Sequence, residues 1–361
     1  MKSFSRPRYR RRSSARKFRQ VTPELIPGAD ASLHAVFDRI GVPPDQPFRP
    51  DPFQEDAVNA IENSDCLVAA PTGAGKTWIA ETVTRNILEN QGKTWYATPL
   101  KALTNSIHSR FITLFGKDRV GILTGDIKEN QDADIIIGTT EILRNQLYDA
   151  MHRGKDLDCD VIILDEAHFL GDLDRGVVWE EIMIYLPARI PLLLLSATIG
   201  NPGQIAGWLS SIRHKPCRVV ETKDRPVPLF PLFLHPSGTL LPLLEKTRNP
   251  GGRTKRLHKK VYTYVNSKKA LLLSQPGKLP DLESILEIME QYDLLPAIFF
   301  LKSRMECDQA VKLCTRKLLD RHPDRKKALK TALHELTSSQ PHLREHTQRP
   351  DVEATGVASH H

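Results

Sequence analysis

Cysteine is scarce in this chain of 361 residues, and the five present (Cys66, Cys159, Cys217, Cys307 and Cys314) form no CxxC pair. A scattered, odd-numbered set excludes a disulfide framework and a cysteine zinc site, and it suits a reducing compartment such as the cytoplasm. Long apolar runs are also missing. Stretches such as 190–195 stop far short of the ~18 residues that cross a bilayer, so no membrane partner is expected. Neither a Ser/His/Asp constellation nor a metal-ligand cluster stands out.

Acidic residues are absent from positions 1–20, which hold nine Lys and Arg residues including Arg10-Arg11-Arg12. Those nine exceed the whole formal net charge of +8, and the remaining 341 residues are almost neutral, with 42 basic against 43 acidic side chains. Residues 1–27 are therefore expected to be a basic, disordered arm. Such an arm contacts phosphates, or, being rich in Arg and Ser, serves as an organelle transit peptide. A secretory signal is excluded, because no apolar core follows it.

What is present is an ordinary globular balance, 40% hydrophobic and 26% charged, over a length that corresponds to two domains at ~150 residues each. From residue 53 to about 220, short apolar runs alternate with helical patterns. Strands are expected at 66–70, 94–97, 120–123, 134–137, 161–164, 192–195 and 218–220, with helices at 54–62, 76–89, 101–115, 142–150 and 204–210. That rhythm predicts an α/β fold, and strands so uniformly apolar need a parallel sheet covered on both faces. The first domain is drawn at 28–222. A proline-rich and basic connecting segment follows at 223–295, with Gly251 and Gly252 inside its most basic part. The rhythm then restarts, with a helix over 281–291, a strand over 297–301 and a helix over 304–319, so a second, incomplete domain is expected at 296–361.

The segment Ala70-Pro71-Thr72-Gly73-Ala74-Gly75-Lys76-Thr77 follows an apolar strand and opens a helix, the context of a phosphate-binding P-loop. Glycines let backbone N–H groups turn inward around phosphate oxygens, and the helix N-terminus adds positive potential. Lys76 would reach the β- and γ-phosphates of ATP, and the Thr77 hydroxyl would bind Mg²⁺. Ala70 stands where the simplest pattern has glycine. The apolar run 161–164 leads directly into Asp165-Glu166-Ala167-His168. Two carboxylates at the end of a buried strand are costly unless a cation meets them. Asp165 is placed to hold Mg²⁺ and Glu166 to orient or deprotonate the attacking water.

These motifs and their neighbours resemble the superfamily 2 DEAD/DEAH-box helicases, most closely the superkiller-type RNA helicases. The matching elements run in the family's order: Phe48 and Pro52-Phe53-Gln54, the P-loop, Thr98-Pro99-Leu100-Lys101, Thr124-Gly125-Asp126, Thr139-Thr140-Glu141, Asp165 to His168, Gly176 to Glu181, Ser196-Ala197-Thr198, Arg225-Pro226-Val227-Pro228-Leu229 and Ser303-Arg304. Ala167 departs from the valine usual in that branch, at a position without a catalytic group.

The resemblance implies a RecA-like P-loop NTPase fold, with an incomplete second RecA-like domain, and ATP and Mg²⁺ as cofactors. It implies adenine stacking on Phe48 and adenine recognition by Gln54, with Thr72, Gly73, Ala74, Gly75, Lys76 and Thr77 around the phosphates. His168, Ser196 and Thr198 would couple that site to RNA or another single-stranded nucleic acid. Thr98, Pro99, Lys101, Thr124, Gly125, Thr139 and Glu141 would lie on the strand-binding surface. The family's later motifs, including its arginine finger, are not among these residues, so a C-terminal helicase half or partner is expected to supply them. Two other readings are an ATP- and RNA-binding module without autonomous catalysis, and a DNA-directed enzyme of the same superfamily.

Overall fold

A computed structural model describes residues 25–40, 48–155, 157–197, 199–245, 256–268, 270–274, 278–314, 317–339 and 341–360. Most of the basic arm lies outside the described residues, as do Thr198 and the stretch around Gly251 and Gly252. The chain divides into two compact units, one of residues 45–228 and one combining 1–44 with 229–361.

The unit 45–228 is built on an eight-stranded sheet. Its elements in chain order are α1 (Pro52–Ile61), β1 (Asp65–Ala69), α2 (Lys76–Glu89), β2 (Thr94–Thr98), α3 (Lys101–Phe115), β3 (Val120–Leu123), β4 (Lys128–Glu129), β5 (Ile135–Thr139), α4 (Thr140–His152), β6 (Val161–Leu164), α5 (Gly176–Tyr185), β7 (Leu192–Ser196), α6 (Pro202–Arg213) and β8 (Cys217–Glu221). The strand order is β4-β3-β5-β2-β6-β7-β1-β8, all parallel except the two-residue β4. This is the RecA-like P-loop fold.

Alternation along the strands explains their composition. Ile135, Ile137, Val161, Ile163, Leu193 and Leu195 face one core, with Ile79, Val83 and Phe111 from α2 and α3. Ile136, Ile162, Leu164, Leu192 and Leu194 face the other, with Leu143, Trp179 and Ile182 from α4 and α5. Each strand residue has a helix to meet on its side, so a period-2 polar pattern has nowhere to form.

The N-terminal ends of β1 and β7 are tied by a buried ion pair. Arg213 Nε donates to Asp65 Oδ2 at 2.6 Å, while its other nitrogens donate to the carbonyls of Leu186 and Ile190, both at 2.7 Å. Asp65 Oδ1 accepts the Leu192 N–H at 2.9 Å. Both side chains are excluded from water, so their charges depend on each other and on these hydrogen bonds.

The other unit differs from its expected outline. Residues Gly28–Ala29 pair in parallel with Thr239–Pro242, which pairs antiparallel with Leu232–Leu234. Residues 28–40 therefore belong with the material after 229, and the boundary of the P-loop unit falls at 45 rather than 28. The proline-rich segment supplies strands of this small sheet. The helix expected over 281–291 is present as Leu282–Gln291, capped by Asp281. No strand forms over 297–301: among the described residues no neighbouring strand offers the hydrogen bonds that would define one. Its alternation survives, because Phe299 and Leu301 pack on Leu282, Ile285 and Ala310, whereas Ile298 and Phe300 are exposed. The helix expected over 304–319 ends at Leu313.

Removing one partner of the buried pair should be costly. Arg213→Met is expected to destabilise the unit by about 3–5 kcal/mol in urea unfolding, because it leaves the buried Asp65 carboxylate with only the Lys215 ammonium, 3.8 Å from Oδ1, as a counter-charge. The double replacement Arg213→Met with Asp65→Asn should recover part of that loss. A single replacement within 1 kcal/mol of wild type would show that the pair is not the tie described.

Candidate functional site

Strand order brings the site together. The sequence β6-β7-β1 sets the C-terminal ends of three neighbouring strands side by side. Asp165 follows β6, Ser196 ends β7 and the P-loop follows β1, with Ala69 in register with Ser196. Residues as far apart in sequence as Ala69 and Ser196 thus converge on one edge.

The P-loop backbone has left-handed turns at Gly73 (φ +85°) and Gly75 (φ +80°). At Gly75 a side chain is excluded twice over, because a Cβ there would stand 2.3 Å from Gln54 Nε2. Ala70 is fully buried and its N–H donates to the Ser196 carbonyl at 3.1 Å, so the methyl group that departs from the simplest pattern packs in the core. Lys76 folds back on its own loop, donating to the carbonyls of Ala70 (2.8 Å) and Pro71 (3.1 Å). Burial pushes its ammonium pKa down, and the nearby Glu166 and Asp165 carboxylates oppose that. Thr72 and Gly73 are exposed, Ala74 is buried, and Thr77 is half-buried in the first turn of α2.

Asp165 is nearly buried, and burial raises its pKa against the opposing hydrogen bond from Tyr96. Its Oδ2 accepts the Tyr96 hydroxyl at 2.8 Å and its Oδ1 accepts the Glu166 N–H at 2.9 Å. Glu166 has a left-handed backbone (φ 56°, ψ 42°), a strained conformation for a non-glycine residue. His168 Nδ1 lies 3.2 Å from Glu166 Oε2. The expected coupling set is only partly joined: His168 pairs with Glu166 rather than Ser196. The buried Ser196 hydroxyl has no hydrogen-bond partner, and Thr198 is outside the described residues.

Of the two adenine-site residues, the side-chain contacts change the expectation for Gln54 and leave that for Phe48. Gln54 is buried at 2% exposure, and its amide Nε2 donates to the carbonyls of Ala74 (3.2 Å) and Gly75 (3.1 Å). Its Oε1 accepts the Asp51 N–H at 2.7 Å, closing a capping box at the start of α1. Both faces of the carboxamide are thus engaged in holding the P-loop, and the adenine edge would have to displace them. Phe48 is 63% exposed and leans on Trp78 with ring centroids 5.6 Å apart, so an open aromatic face remains there.

The strand-binding set also divides. Thr98, Pro99, Thr124 and Thr139 are buried. The Thr98 hydroxyl bonds to that of Thr104 at 2.7 Å, and Thr124 Oγ1 accepts the N–H groups of Asp126 (3.3 Å) and Ile127 (3.0 Å). Thr139 is the N-cap residue of α4. The Thr98 and Thr124 hydroxyls thus hold a helix start and a turn, and Thr139 is buried without a side-chain capping bond, so none of the three offers a contact surface. Lys101 and Gly125 are exposed and Glu141 is half-buried. Lys101 is ion-paired with Asp126. Sequence reading passed over Tyr96 and Arg175, and it treated Asp126 as a solvated turn residue and not as the partner of Lys101. The Arg175 guanidinium lies over the Phe169 ring and donates to the Pro99 carbonyl at 3.4 Å. A phenol inside an apolar strand, and an acid beside an expected phosphate ligand, were the available signals.

A cation is consistent with this donor set. Asp165, Glu166 and Thr77 offer hard oxygens, and two adjacent carboxylates of which one is desolvated favour a divalent ion such as Mg²⁺.

Residues 51–205 match the family described as DEAD/DEAH box helicase. Among curated relatives, a chloroplastic DExH-box ATP-dependent RNA helicase of Arabidopsis thaliana is 37% identical over 304 residues, covering 73% of this chain and 26% of that protein. The antiviral helicase SKI2 of Saccharomyces cerevisiae is 40% identical over 235 residues, covering 64% of this chain and 18% of its own length. The probable helicase HelY of Mycobacterium tuberculosis is 34% identical over 284 residues, covering 75% and 31%. The chain therefore spans less than a third of each of these relatives.

The engaged Gln54 amide makes a prediction that differs from simple adenine reading. Gln54→Ala should loosen the P-loop and weaken ATP and GTP binding by a similar factor, about 3- to 10-fold for hydrogen bonds worth ~0.5–1.5 kcal/mol. Fluorescence titration with both labelled nucleotides measures this. Loss confined to ATP would return Gln54 to base recognition.

Proposed function

Residues 51–205 form a DEAD/DEAH box helicase domain, and from that premise we propose that this chain is the N-terminal ATPase half of an ATP-dependent RNA helicase. The observation that carries the reading is the convergence of Lys76, Asp165 and Glu166 at the aligned ends of β1 and β6. One cation and two carboxylates in a half-buried corner suit a phosphoanhydride and an attacking water, and no other grouping in the unit has that chemistry among the described residues.

Binding starts with the P-loop. Lys76 leaves the Ala70 and Pro71 carbonyls for the β- and γ-phosphates, an exchange of neutral acceptors for charged ones. Asp165 and Thr77 would hold Mg²⁺, which when bound neutralises charge on the phosphate oxygens. Glu166 takes the proton of the attacking water at its carboxylate, and its pairing with His168 orients that group. Phe48, with Trp78 behind it, offers a stacking face to the base. Ser196, His168 and Thr198 pass the state of this corner to the nucleic-acid surface, and the unpartnered Ser196 hydroxyl leaves that link open to form. An arginine from a second helicase domain or a partner completes the charge stabilisation.

RNA is the substrate favoured here because one of the relatives named above, from Arabidopsis thaliana, is an ATP-dependent RNA helicase, and Lys101 and Gly125 mark the exposed part of the strand-binding face. The compartment proposed is the cytoplasm, from the unpaired cysteines. Among the described residues no helix is long and apolar enough to cross a membrane.

Calorimetry with Mg²⁺·ATP tests the core of this reading. Lys76→Ala is expected to lower affinity at least tenfold with little change in melting temperature, and equal affinity would overturn the assignment. The same preparation carrying Glu166→Gln should still bind ATP.

The ion pair on Lys101 gives a second expectation. Asp126 occupies the lysine that a phosphate would use, so Asp126→Asn should raise single-stranded RNA affinity a few-fold. It should also steepen the salt dependence by about 0.7 in slope, the value for one further phosphate contact. Lys101→Ala should do the opposite. Unchanged slopes in both variants would remove Lys101 from the RNA surface.

A further inference from the structure

Tyr96 is fully buried in the middle of the sheet, on β2 between Ile137 of β5 and Ile163 of β6. Its ring belongs to the apolar cluster of Ile135, Ile163 and Phe111, and it meets Phe111 edge-to-face with centroids 5.5 Å apart and planes at 73°. For packing alone phenylalanine would serve as well, since a hydroxyl in such surroundings is penalised unless it is hydrogen-bonded. The hydroxyl has a partner of one kind: it donates to Asp165 Oδ2 at 2.8 Å.

The consequence falls on the carboxylate. Asp165 receives one hydrogen bond on each oxygen, from Tyr96 on Oδ2 and from the Glu166 N–H on Oδ1. Two donors on different oxygens fix the rotation of the carboxylate plane. The Tyr96 donor is itself held rigidly, because its strand pairs on both sides and its ring is packed. Asp165 N–H is anchored to the same strand, donating to the Ala97 carbonyl at 2.9 Å. One strand thus sets both the backbone and the side chain of the acid.

We propose that Tyr96 is a positioning residue that holds the Asp165 carboxylate in the orientation used to bind a nucleotide-associated Mg²⁺. The inference rests on the nucleotide-site reading above and names a residue that reading does not use. Partners of this outer kind order a metal-binding group in advance, and their loss typically costs tenfold or more in metal affinity.

Tyr96→Phe in the whole chain is the test, read as the affinity for a fluorescent ATP analogue at increasing Mg²⁺. The expected result is a rise of about tenfold in the Mg²⁺ concentration for half-maximal effect, with affinity in excess EDTA unchanged. A purely structural tyrosine would lower the melting temperature and leave the Mg²⁺ dependence where it was, and that outcome overturns the inference. Asp165→Asn separates the two layers. If it removes the Mg²⁺ effect while Tyr96→Phe does not, the site reading stands and the role of Tyr96 falls. If it too leaves the Mg²⁺ effect intact, the assignment of Asp165 fails, and the inference with it. Should Tyr96→Phe not fold, Phe111→Leu reads the same quantity by loosening the phenol ring. A two- to threefold upward shift supports the proposal, and an unchanged value overturns it.

Discussion

A parallel sheet covered on both faces has nowhere to place polar groups except at the ends of its strands. In this chain the constraint is nearly complete: β1, β2, β5, β6 and β7 are buried along their whole length. Functional side chains therefore collect at the C-terminal edge, where the P-loop, Ser196 and Asp165 stand on neighbouring strands. The opposite edge carries the Arg213–Asp65 pair, whose hydrogen bonds are all internal. Polar chemistry thus has two locations with different purposes, one closed and one open to a ligand.

Charge at the open edge is arranged so that a ligand improves it. Lys76 rests on two neutral carbonyls, a cation with acceptors weaker than phosphate. Asp165 carries a desolvated carboxylate next to a second acid, a situation that a cation relieves. Ser196 has a buried hydroxyl without a partner, and Glu166 carries backbone strain. Each of these is a cost in the ligand-free chain. The grouping of a cation, a desolvated acid pair and backbone strain within one corner argues for a site; the Ser196 hydroxyl adds little by itself, because those of Thr82, Thr84 and Thr94 are likewise buried without a partner.

Much of this was legible in sequence because its signals are local. A P-loop needs a strand, glycines at turns and a helix start, and all three lie within residues 65–89. The acid pair follows its strand directly. What stayed hidden depended on three-dimensional neighbours. Gln54 reads as a free carboxamide until Ala74 and Gly75 are seen to accept from it. Thr98 and Thr124 have the side chains of phosphate ligands, and also those of helix and turn caps; burial and their internal hydrogen bonds decide for the latter. Residues 28–29 gave no sign of pairing with 239–240, because two residues carry no periodicity and the partner lies more than 200 positions away. The run over 297–301 has strand composition, yet a strand exists only with a neighbour to bond.

The division between buried threonines and exposed Lys101 bears on how nucleic acid would be gripped. With the Thr98 hydroxyl turned inward beside the start of α3 and that of Thr124 holding the turn after β3, what faces outward is Gly125, which offers only backbone, and a lysine already paired with Asp126. Backbone N–H groups and one cation contact sugar and phosphate without reading bases. Such a surface holds a strand irrespective of its sequence. Because α3 begins beside the groove lined by Leu100, Ser106, Glu166 and His168, a shift at the acid pair has a short path to it. Arg175 spans the same gap, from the Phe169 ring to the Pro99 carbonyl. The first turn of α3 therefore lies against both the acid pair and the face proposed to bind a strand, so it is the element through which the two would communicate.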